Sequence, residues 1–95
     1  MNIVDMVRES VRDIAKHPVL ELDYADHGFD GHGNMTAEQQ HGTFIFRQDF
    51  EGSASVVHIV TAVEGSHEIA SSGFPVEFIP QVVEHLQAIY KGMQQ

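Results

Sequence analysis

The run TFIFRQDFEGSASVVHIVTAV, residues 43–63, decides how the rest of the chain is arranged. Phe44, Phe46 and Phe50 recur at even spacing with Gln48 between them, so in an extended strand they share one face. Thr43, Arg47 and Asp49 point the other way. Glu51-Gly52-Ser53 then carries turn chemistry, because glycine reaches the positive φ that a short hairpin loop demands. The return run, 54–63, is apolar on both sides, with Val57, Ile59 and Val63 on one and Val56, Val60 and Ala62 on the other. A two-sided apolar strand belongs inside a sheet, and its β-branched residues favour strand over helix. Glu64-Gly65-Ser66 forms a second turn, and a short strand is expected from His67 to about Ser71.

Outward from this hairpin, residues 2–17 read as an amphipathic helix. Ile3, Val7, Val11 and Ile14 repeat at helical spacing, Asn2 stands at the N-cap, and Asp5 lies three residues on. Pro18 ends the helix, since the residue before a proline is pushed out of the α region. Arg8, Arg12 and Lys16 form one stripe beside Asp5, Glu9 and Asp13. Residues 19–24 form a first strand with Leu20, Leu22 and Tyr24 inward and Glu21 and Asp23 outward. The last element, from Pro75 or Pro80 to Gly92, carries an apolar stripe of Ile79, Val82, Val83, Leu86, Ile89, Tyr90 and Met93. Pro80 fits the first turn of that helix, where its missing N–H has no partner to lose. The expected fold is α+β in one 95-residue domain. It is a three- to four-stranded antiparallel meander, order α-β-β-β-(β)-α, with both terminal helices packed on the phenylalanine face. Two helices on one side leave the other side of the sheet, including Ile45, Val56, Val60 and Ala62, to a folded-back loop or a second subunit.

Residues 25–42, ADHGFDGHGNMTAEQQHG, lack a strong period and read as a long polar loop, with one helical turn at Thr36-Ala37-Glu38-Gln39. His27, His32 and His41 share it with Asp26, Asp30 and Glu38, donors that suit zinc-like ions. Their spacing matches neither a compact zinc signature nor a calcium loop, so no metal or other cofactor is expected. His58 sits among valines as a packing residue. Ser53, Ser55, His58 and His67 form no nucleophile elbow, and Gly28, Gly31 and Gly33 form no dinucleotide fingerprint. No catalytic residue is assigned, and the chain is read as a non-enzyme.

Charge is the feature that points to partners. The formal net charge is −9, and between His17 and Tyr90 eleven acidic side chains face one basic one, Arg47. Direct nucleic-acid binding is disfavoured, because phosphate contacts need clustered Lys and Arg. A basic nucleic-acid-binding protein fits such a field, with Asp23, Asp26, Asp30, Glu38, Asp49, Glu51, Glu64 and Glu68 as the candidate partner-binding residues. The absence of cysteine and of a signal-like or membrane-spanning run gives cytoplasmic residence as the expectation. The two alternatives are a homodimeric scaffold that uses the second sheet face and a metal-dependent binding module.

Two family resemblances sit beside this reading. The opening Met1-Asn2-Ile3, Asp5, two apolar residues and Arg8-Glu9, on a short acidic helix-meander-helix layout, resembles small phage anti-CRISPR inhibitors of Cas9. The resemblance implies a phage-encoded protein in the host cytoplasm, its carboxylates standing in for DNA phosphates in the groove of a CRISPR effector. Gly73-Phe74-Pro75 before a proline-started helix is similar to the single-strand-binding transcriptional coactivator fold. That similarity implies the architecture, whereas the basic and aromatic grip on nucleic acid has only Arg47 to represent it.

Overall fold

A computed structural model describes residues 2–29, 31–66 and 69–93. The chain forms α1 (Ile3–Ile14), then β1 (Leu20–Phe29), β2 (Met35–Gln48), β3 (Val56–Val63) and β4 (Ile69–Pro75). A single 3-10 turn (Val76–Phe78) leads into α2 (Ile79–Met93). The four strands make one antiparallel meander in the order β1-β2-β3-β4, an α+β layout.

The helix α1 starts where its cap dictates: the Asn2 side chain accepts a hydrogen bond from the Asp5 N–H at 2.8 Å. It ends at Ile14, three residues before His17, the residue that Pro18 restricts, with Ala15 already extended. Val4, Val7 and Val11 are buried against Phe44, Phe46 and Ala62, and Phe44 is fully enclosed. Each such side chain gains about 1.5–3 kcal/mol on burial before entropy is subtracted. Gly42 makes the approach feasible, since a Cβ there would lie 2.6 Å from Val4 Cγ1. At the opposite ends of β3, Gly52 and Gly65 take the positive φ that the two turns require.

Register fixes which residues share a face. Phe44 opposes Val60, Phe46 opposes His58 and Gly42 opposes Ala62, so Val60 and Ala62 belong to the α1 face and not to the second face where they were expected; Val56, opposite Gln48, goes with them. The second face is instead built by Ile45 opposite Ile59 and Leu20, with Val57 opposite Phe74. Leu20, Leu22 and Tyr24 thus point away from α1, and Glu21 and Asp23 point toward it, the reverse of the inward and outward assignment above. The reason lies in Arg8 and Arg12, which pull the carboxylates under the helix.

Three further expectations change. The polar loop at 25–42 is a β-ribbon: β1 runs on to Phe29 and β2 begins at Met35, with the helical turn at Thr36–Gln39 replaced by strand. Cross-strand pairing supplies the order that side-chain periodicity does not. The fourth strand lies at Ile69–Pro75, later than the 67–71 expected, and residues 67 and 68 are outside the described residues. Phe50 lies beyond the end of β2, partly exposed, edge-on to His58 with ring centroids 6.3 Å apart.

The largest difference concerns α2. It does not pack on the phenylalanine face; none of its described residues is buried, and Leu86 is 57% exposed. Its first turns, from Ile79 to Leu86, overhang the opposite face and leave an apolar groove between helix and sheet. The prolines explain the stance. Pro75 holds extended backbone, the 3-10 turn is pinned by the Val76 N–H to Ser55 carbonyl bond at 3.1 Å, and Pro80 stiffens the first turn.

Candidate functional site

Of the eight candidate carboxylates, the six among the described residues lie on several elements. Asp23 pairs with Arg8, which also holds Asp5 and reaches Glu21 at 3.1 Å. The same guanidinium lies 5.7 Å from the Phe44 ring centroid, so one side chain ties helix, sheet and core together. Arg12 donates to Glu21 at 2.9 Å, and that bond raises the guanidinium pKa further. Asp26 accepts from the backbone N–H of His27 at 2.8 Å. Glu64 accepts from the Val4 N–H at 3.0 Å, in the first turn of α1, where the helix dipole favours a negative charge.

Asp49 sits in a polar knot beyond the end of β2. It accepts from the Ser55 hydroxyl and from Arg47 Nε at 2.8 Å, and lies 2.9 Å from His17 Nε2. These bonds, the Ser55 one foremost, hold its pKa well below the usual carboxylate range. Glu38 and Glu51 are exposed, one on the ribbon and one at the β2–β3 turn, separated by about ten residues of extended strand, roughly 33 Å. Asp30 and Glu68 lie outside the described residues. The structure therefore leaves the described candidates in separate places, Asp26 and Glu38 on the ribbon, Asp49 and Glu51 by the β2–β3 turn, Asp23 and Glu64 beside α1, and commits several to internal bonds.

The histidines are likewise separated. His27 Nδ1 lies 2.9 Å from the Thr36 carbonyl oxygen, on the α1 face; His41 stacks on Tyr24, on the second face. Among the described residues no three metal-ligating side chains converge. His58 packs edge-on against Phe46 with ring centroids 5.5 Å apart, and Ser55 spends its proton on Asp49.

What the fold does assemble is the second face. Leu20, Leu22, Ile45, Val57, Ile59 and Phe74 form a continuous apolar surface flanked by the stripe of α2. Arg47 is the one Lys, Arg, Asp or Glu on this face between β2 residues 41–47 and their partners on β1, β3 and β4. Across its middle runs a hydroxyl line, with Tyr24 Oη 2.8 Å from Thr43 Oγ1 and Thr43 Oγ1 2.9 Å from Thr61 Oγ1. Three hydroxyl protons serve two bonds, which leaves one O–H to be donated beyond the trio. Leu20, Leu22, Val57 and Phe74 were missed as surface residues because their significance depends on strand register. The signal was the alternation itself, continued from Ile45 across to Leu20 and Ile59.

Among the described residues, no helix is long and apolar enough to cross a membrane. Comparison with protein families, curated proteins and solved structures finds no match to this chain.

Proposed function

We propose that the chain is a non-enzymatic homodimeric assembly module that closes its second sheet face and α2 against a second copy. The observation carrying this is the open apolar face, from Leu20 to Phe74, which carries no carboxylate across β2 residues 41–47 and their partners. Area supports it. The chain exposes 7126 Å², whereas a compact monomer of its 10.6 kDa exposes about 5,500 Å². The excess, roughly 1,600 Å² per copy, is about twice what each partner of a standard interface buries and falls in the range of obligate dimers. The radius of gyration of 15.3 Å exceeds the roughly 12 Å of a compact domain of this length. Charge also supports self-association, because a net −9 repels copies least across β2 residues 41–47 and their partners, where the second face carries no carboxylate.

Sedimentation equilibrium tests the reading. The wild-type chain is expected at no less than twice 10.6 kDa at tens of micromolar, and Leu86→Glu is expected to lower that mass with unchanged far-UV circular dichroism. A wild-type monomer at that concentration overturns it.

The second reading is the acidic mimic, a small phage-type inhibitor that sets carboxylates against the basic groove of a CRISPR effector or similar protein. Its support is the scarcity of cations around Glu38, Asp26 and Glu51. The geometry favours it less, because Asp23, Asp49 and Glu64 are already bonded within the chain. Binding to such a partner must fall steeply as sodium chloride rises; a salt-insensitive complex sinks this reading.

A further inference from the structure

The two edges of the sheet are built differently. β1 carries Glu21, Asp23 and Asp26 and a register irregularity between His27 and Phe29, devices that stop an edge from recruiting another strand. β4, reading Ile69-Ala70-Ser71-Ser72-Gly73-Phe74-Pro75, has no charged side chain and a proline only at its last residue. Residues 69–73 are exposed, and among the described residues no strand lies beside it except β3. Its outward N–H and C=O groups form an unguarded hydrogen-bonding row seven residues long. Gly73 holds the strand close to β3, since a Cβ there would lie 2.6 Å from the Val57 carbonyl oxygen.

We infer that the outer edge of β4 pairs antiparallel with β4 of a second copy, joining two sheets into one of eight strands. Self-pairing follows from chemistry. An antiparallel edge is its own complement about a two-fold axis, and the small side chains Ala70, Ser71 and Ser72 leave room for it. Two acidic chains can meet here because the strand brings no carboxylate to the seam. This seam uses the backbone edge of β4, whereas the second-face contact uses side chains. Ala70, Ser72 and Phe74 of β4 point onto that face, and Ile69, Ser71 and Gly73 point onto the other. The seam does not depend on the second-face contact. With both in place, one protomer carries two distinct two-fold interfaces, and assembly proceeds past the dimer to a tetramer or an open chain.

The chain has no cysteine, so one engineered thiol reports one site. Ser72→Cys places thiols on both sides of the strand's midpoint, where paired Cα atoms lie about 4.5–5.5 Å apart, within disulfide reach. Under mild oxidation it is expected to give covalent dimers at least tenfold faster than Ser53→Cys, a control in the exposed β2–β3 turn. Ser71→Lys, which sets two like charges at the seam on the α1 side, opposite Val60 and away from the second face, is expected to halve the sedimentation mass without changing the circular dichroism. Leu86→Glu is expected to leave the Ser72→Cys cross-link intact. Equal cross-linking rates at the two sites, or an unchanged mass in Ser71→Lys, overturn the seam. In that case a mass still lowered by Leu86→Glu leaves the second-face dimer standing. Rapid Ser72→Cys cross-linking with a mass indifferent to Leu86→Glu supports the seam and removes the second-face dimer.

Discussion

One sheet, two faces: the side under α1 is sealed and the side under α2 is open, although both helices carry apolar stripes. Val4, Val7 and Val11 reach Phe44 and Phe46 because Gly42 lets the helix approach and Arg8 and Arg12 clamp its polar flank to Glu21 and Asp23. The stripe of α2 has no such clamp among the described residues, and a proline-braced stalk holds it off the sheet. Amphipathicity alone thus does not seat a helix. Close approach and a polar fastening do, and where they are missing the stripe stays available for another chain.

The contrast is sharpest in truncation. Phe44→Ala removes a fully buried ring and is expected to cost about 3–5 kcal/mol, a large share of the stability of a domain this size. Leu86→Ala, on the exposed stripe, is expected to cost under about 0.5 kcal/mol in dilute solution. At concentrations where copies associate, the same change is expected to cost more than about 1 kcal/mol, as a buried interface anchor does. Urea denaturation at two protein concentrations reads both. A concentration-independent Leu86→Ala penalty of several kcal/mol would mean that α2 is seated within its own chain.

The fastening itself is tested next. Gly42→Ala drives a methyl into Val4 Cγ1 and is expected to destabilise by about 1–3 kcal/mol, as overpacking does. Gly42→Ala combined with Val4→Ala is expected to recover part of the loss, since the clash is with that side chain. A double variant no more stable than Gly42→Ala alone would place the strain in the backbone of β2 instead.

How much of this was legible beforehand follows from which physics acts locally. The meander, both turns and α1 with its Asn2 cap were readable, because strand alternation, glycine turns and capping are set by neighbours in sequence. The ribbon at 25–29 and 35–40 was not: His27, Gly28 and Glu38 have no strand signature of their own and are ordered by the partner strand. The inversion of β1 was hidden for a related reason. Leu20 and Leu22 look like core residues until Arg8 and Arg12 claim Glu21 and Asp23 from the other side. The acidic residues looked like one field because a sequence shows their number and not their bonds. Asp49 meets His17, 32 residues away, and Glu64 meets Val4, 60 away, only through the fold.

Asp49 gives the smallest expected effect and separates a structural carboxylate from a partner-binding one. Its folded-state pKa is depressed by the Ser55 hydroxyl, His17 and Arg47. In the unfolded chain an aspartate titrates near pH 3.9, approximately the model-peptide value. A depressed carboxylate contributes stability that is fully present above that unfolded value and is lost as pH falls through the folded pKa. The acid limb of the stability curve, below about pH 4, should therefore be shallower in Asp49→Asn than in the wild type, with the two curves parallel above pH 5. Because the group is exposed, solvent screens its bonds and the effect stays small. Urea midpoints from pH 2.5 to 7 measure it. Parallel curves across the whole range would show that the knot adds nothing to folding. Asp49 would then return to the set of carboxylates free to meet a basic partner.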